Sequence, residues 1–86
     1  MLFYLIAKEL PHLDVLEFRN CKLYIIPSNI NKLQELTVLN FDNNLIQNAG
    51  IIQLPNLAIL PLKGNQIIEQ EARILKNALP NCSLRF

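Results

Sequence analysis

Eighty-six residues, 51% of them apolar, are enough for one small domain and a limited core, since a chain this short buries only about 60% of its unfolded surface. Eight Lys and Arg against seven Asp and Glu leave a net charge of +1, too small an excess to neutralise phosphates, so nucleic-acid binding has no electrostatic footing. No polybasic run or long apolar span points to a membrane.

The chain starts with MLFYLIAKEL. No basic residue precedes the apolar run, and Lys8-Glu9 stands where a secretory leader would need small residues, so the stretch reads as a packing segment. Next comes LDVLEFRNCKL from Leu13. Leu16 and Phe18 alternate with polar residues, as a strand with one buried face requires. Pro11 lies just before it, where a missing N–H does little harm. The following stretch, IIPSNINKLQEL, places Ile26, Ile30, Leu33 and Leu36 at helical spacings with Pro27 near the start, which predicts a helical or 3-10 turn.

The second strand segment is LTVLNFDNNLI from Leu36, and a less regular return, IQNAGIIQLPNL, carries Ile51, Ile52 and Leu54. The third strand segment is LAILPLKGNQI from Leu57. Pro61 departs from a strand pattern, because it deletes a ladder hydrogen bond. The last return, IIEQEARILKNALPNC, predicts a helix near 69–78 whose inner face is Ile68, Ala72, Leu75 and Leu79. Glu69 and Glu71 at its start and Arg73 and Lys76 towards its end suit the helix dipole. An edge strand near 82–86 follows, and aligning Cys82 with Leu57 would send Arg85 to a core place unless the register differs.

The three strand segments align without gaps at offsets of 23 and 21 residues, and every one fits L-x-x-L-x-L-x-x-N/C-x-L. The chain resembles leucine-rich repeat proteins, and its tail resembles the closing segment of bacterial members. The resemblance implies an α/β fold: a right-handed solenoid forming a short horseshoe, with a parallel sheet on the concave face and helical or 3-10 turns on the convex face. One domain, 1–86, would hold about three repeats, with strands near 15–18, 38–41 and 59–62. At the ninth place Cys21, Asn44 and Asn65 would form a structural ladder, the Asn amides satisfying backbone groups of neighbouring repeats. Cys21 is expected to point inward as a small filler.

Nine residues would face outward from the sheet in three columns: Val15, Val38, Ile59; Glu17, Asn40, Pro61; and Arg19, Asp42, Lys63. The first column is apolar and the third alternates in charge, the make-up of many interfaces. The family's habit implies a protein-binding module working through this concave face. The alternative is a structural C-terminal cap or fragment of a longer leucine-rich repeat receptor or effector. Solenoid ends need polar caps, yet Phe3, Tyr4, Leu5 and Ile6 are apolar. Either the chain is a piece of a longer array, or this end docks on a second copy in a homo-oligomer.

Enzyme chemistry finds little support. His12 is the only histidine, with no nucleophile expected beside it, and Ser28 belongs to a convex turn. Gly64 reads as a turn rather than a phosphate loop. Cys21 and Cys82 fit neither a disulfide framework nor metal-ligand spacing, so no metal or cofactor is expected. Their reduced state would suit a cytoplasmic setting.

Overall fold

A computed structural model describes all 86 residues, Met1 to Phe86. Four three-residue strands, β1 (Val15–Glu17), β2 (Val38–Asn40), β3 (Ile59–Pro61) and β4 (Ser83–Arg85), form one parallel sheet in sequence order. Helix α1 (Leu2–Glu9) leads into β1, a 3-10 helix (Ser28–Lys32) lies between β1 and β2, and α2 (Glu69–Ala78) lies between β3 and β4. Strands this short cannot stand alone; each buries its apolar face by stacking on the next.

The repeat explains the register. Val15 pairs with Val38 and Val38 with Ile59, so equivalent side chains stack and point the same way. Leu36, Leu39, Phe41, Ile46 and Leu60 are fully enclosed, and burying such a side chain stabilises by about 1.5–3 kcal/mol. Leu13, Leu16 and Phe18 of the first repeat are only half-buried, because no strand precedes β1.

Pro61 leaves a visible mark. The pairs β1–β2 and β3–β4 each hold three residues in register, whereas β2–β3 holds one. The missing proline N–H interrupts the ladder, which resumes where the Phe41 N–H donates to the Pro61 carbonyl at 3.0 Å.

The returns differ from one another. Pro27, at φ −63°, sets up the 3-10 helix. The second return has no helix. Its extended backbone buries Ile52 and Leu54 but turns Ile51 outward, 78% exposed. Ile51 is therefore not a packing residue, because alternation in extended chain puts neighbours on opposite sides. The Asn31 amide fastens this segment, accepting from the Gln53 N–H at 2.8 Å and donating to the Ile51 carbonyl at 2.9 Å. In α2, Leu75 is buried with Leu79 just beyond, and Arg73 bonds Glu69 one turn back at 2.8 Å. Ile68 is 61% exposed, for it is the extended N-cap residue and lies off the helical face.

At both ends the structure fills in what the pattern left open. At β4 the pairs are Ile59–Ser83, Leu60–Leu84 and Pro61–Arg85. Leu84 thus joins the inner row and Arg85 stays outside, one residue away from the alignment of Cys82 with Leu57. The chain is one residue shorter between LPN and the strand here than in the third repeat, and parity makes that single step exchange the two faces. At the other end Phe3 is buried and Ile6 half-buried, while Tyr4 and Leu5 stay exposed. The Phe3 ring lies 4.7 Å from Phe18 and 6.5 Å from Phe41, and Phe18 stacks on Phe41 at 6.0 Å with 13° between planes. Phe3 fills part of the space a preceding repeat would occupy.

The eighth place of each repeat, Asn20, Asn43 and Gly64, has positive φ of 56°, 59° and 74°. That left-handed conformation costs an ordinary L-residue roughly 1–2 kcal/mol, and Asn and Gly tolerate it best. A Cβ on Gly64 would also stand 2.1 Å from Asn43 Oδ1 and 3.2 Å from its Cα. Gly64→Ala is expected to lower the unfolding free energy by about 1–3 kcal/mol, read by urea titration; no change would mean that the turn relaxes freely.

Candidate functional site

The sheet brings the three predicted columns to one face, with unequal results. Val15, Val38 and Ile59 form a continuous apolar row, Val15 half exposed and the other two partly so. Glu17 and Arg19 are exposed and joined by a 2.7 Å ion pair. That hydrogen bond first, and the Glu17 charge second, raise the Arg19 pKa above its ordinary value. Lys63 is exposed and Asp42 half-buried.

Asn40 and Pro61 are not available as surface. Both are buried, and the Asn40 amide is occupied: its Oδ1 accepts from the Asp42 N–H at 2.8 Å and its Nδ2 donates to Glu17 Oε2 at 3.5 Å. Asn40, outward by pattern, thus serves the bend that follows its strand, while Pro61 is enclosed within β3 and its carbonyl accepts from Phe41. Asp42 shares this work, its Oδ1 accepting from the Lys63 N–H at 2.9 Å.

The ninth-place ladder has a direction. Asn44 Oδ1 accepts from the N–H groups of Cys21 and Leu23, both at 3.0 Å, while its Nδ2 donates to the carbonyls of Phe18 (2.7 Å), Phe41 (2.9 Å) and Asp42 (3.3 Å). Asn65 repeats the pattern one step on, accepting from the Ile46 N–H at 3.0 Å and donating to Phe41 and Leu62 at 2.8 and 3.0 Å. Each amide serves the repeat before its own. Cys21 has no repeat before it, so an amide there would have only carbonyls of its own repeat to serve, as Asn44 serves Phe41 and Asp42. Contrary to expectation its side chain is exposed rather than inward, with Sγ donating only to the Arg19 carbonyl at 3.1 Å.

Sequence reasoning passed over one further stitch. Thr37 Oγ1 donates to Asp14 Oδ1 at 2.5 Å, and both occupy the second place of their repeats. Two short hydrogen-bonding side chains at equivalent places were the available signal. His12 bonds Glu35 on the surface. Cys82 lines a cleft with Leu54, Leu57 and Leu79, and burial raises its thiol pKa. No group of three His, Cys, Asp or Glu side chains is placed to hold a metal. No helix is long and apolar enough to cross a membrane.

No protein-family model matches the chain, and no curated protein matches its sequence. Among solved structures, a leucine-rich repeat protein of Leptospira interrogans is similar at 33% identity and a TM-score of 0.73, over 76% of this chain and 17% of that one.

This is a leucine-rich-repeat-like protein. Its strand, αL bend and ninth-place amide form one unit repeated with small variations, and the likeness is to a bacterial relative. The chain spans about a sixth of that relative's length. In leucine-rich-repeat terms, Asn44 and Asn65 are the intact ladder, and the seven accessible face residues are what the ladder holds in line.

Proposed function

We propose that the chain is a protein–protein interaction module that works without a cofactor or catalysis. It forms one domain over 1–86, a right-handed short horseshoe whose sheet is the concave face, and the partner is held through Val15, Val38 and Ile59 with Glu17, Arg19, Asp42 and Lys63 around them. The supporting observation is the register, which stacks three apolar side chains as direct neighbours on an accessible face. An apolar row bordered by charges of both signs suits a protein surface of complementary charge. Two free cysteines suit a reducing compartment.

The test is capture on the immobilised chain with quantitative proteomics. Proteins retained by the natural chain and by Ile51→Ser, a change on the opposite side, are expected to be lost from Val38→Arg. Equal retention on all three would refute the face as the binding surface. A second reading, a structural segment of a longer array, draws on the chain's matching only 17% of its relative. It predicts no captured protein that distinguishes the variants.

A further inference from the structure

The N-terminal end of the sheet is open in a specific way. In a parallel ladder a residue's N–H and C=O point to the same neighbouring strand, and successive residues serve opposite sides. The Asp14 carbonyl accepts from Thr37 and the Phe18 N–H donates to the Asn40 carbonyl, so Asp14, Leu16 and Phe18 face β2. The backbone groups of Val15, Glu17 and Arg19 therefore face away from the sheet, and Arg19's carbonyl holds only the weak thiol donor of Cys21. Shortness and the Glu17 charge are the only guards of this edge: β1 has three residues, carries neither Pro nor Lys, and no strand covers it. Six of the twelve strongly exposed large apolar residues, Met1, Leu2, Tyr4, Leu5, Leu10 and Val15, also fall in the first fifteen positions. A helix apolar on its outer side as well as its inner one is normally covered.

The occupant is indicated by charge. Glu17 and Arg19 are two residues apart, both on the outward-facing backbone positions, and of opposite sign. We propose that β1 pairs antiparallel with β1 of a second copy across a two-fold axis beside Phe18. That axis sets Glu17 of each copy opposite Arg19 of the other. The N–H of each donates to the carbonyl of the other, and the two exposed ion pairs within copies become two between copies. A two-fold interface must match itself, and a Glu-x-Arg edge does so only in this register. The bends at Asn20 and Lys22, both at positive φ, end the pairing, so the apolar side of α1 supplies the remaining contact. The result is a continuous eight-stranded sheet, which would enlarge a binding face that is small for the 20–30 residues a side of typical interfaces. The pairing shares Glu17 and Arg19 with the proposed binding face but is read separately: a chain that dimerises but captures nothing would keep the pairing and refute the face.

Sedimentation velocity on the 86-residue chain, from low micromolar to millimolar, reads the outcome. The natural chain is expected to form dimers. Glu17→Arg and Arg19→Glu, each placing like charges opposite one another, should each raise the dissociation constant by at least about tenfold. The double reversal restores opposite pairs and should return it to near the natural value. Both side chains are exposed, so the far-UV circular dichroism of the folded variants should be unchanged; if a reversal fails to fold, Glu17→Gln and Arg19→Gln should still weaken the dimer. A monomer at millimolar concentration, dimers indifferent to the single reversals, a double reversal that fails to restore, or open-ended oligomers from head-to-tail stacking would each overturn the pairing.

Discussion

Asn44→Ala is expected to lower the unfolding free energy by about 3–5 kcal/mol, among the largest effects of any single change in this chain. The amide is buried and engages five backbone groups: it accepts from Cys21 and Leu23 and donates to Phe18, Phe41 and Asp42. Removing one partner from a buried bond costs about 1–3 kcal/mol per orphaned group. The total stays below the sum because Cys21, being exposed, lets water reach part of the site. Total stability for a domain of this kind is about 5–15 kcal/mol, so much of it is at stake. Asn44→Asp separates the two halves of the role. A carboxylate keeps the acceptor but cannot donate to Phe18 or Phe41, so it too should destabilise strongly. Asn65→Ala should cost less, since Asn65 is only half-buried. Urea denaturation measures all three, and an Asn44→Ala loss below about 1 kcal/mol would show that the ladder is incidental to stability.

Phe41→Ala should cost about 3–5 kcal/mol, the usual range for truncating a buried phenylalanine. Its ring is fully enclosed and stacks on Phe18, with Phe3 closing the end of the row. The residues around it belong to three consecutive segments, so the cavity cannot collapse without shifting β1 or α1. At several degrees of Tm for each kcal/mol in a domain of this size, a fall of more than about 12 °C is expected by calorimetry. Phe41→Leu, keeping most of the volume, should lose less than half as much. Equal losses for the two variants would mean that the aromatic stack, rather than filled volume, is what the position supplies.

Legibility varied with how local the cause was. The alignment of Leu13, Leu36 and Leu57 already placed Val15, Val38 and Ile59 level, and these are the residues the ladder pairs. The turn at Pro27 and the inner position of Leu75 in α2 could also be read in advance. Asn31 could not: its bonds to Ile51 and Gln53 cross to the next return, and no spacing rule marks a side chain that ties irregular backbone.

The sequence by itself determined which side chains of the interior strands turn inward and that the strands run parallel, since a period near 22 residues with alternating apolar places has one compact solution, side-by-side stacking. It also determined where amides were needed. Only the tertiary structure decided the ends. Phe3 turned in while Leu5 stayed out, Cys21 lay exposed for want of a preceding repeat, and β4 paired one residue away from its apparent alignment. It decided too that Asn40 and Pro61, at the ends of β2 and β3, are buried. For the ends the physical reason is common. An interior repeat sees the same neighbours each time and its pattern suffices, whereas an end residue's surroundings depend on what happens to pack against it.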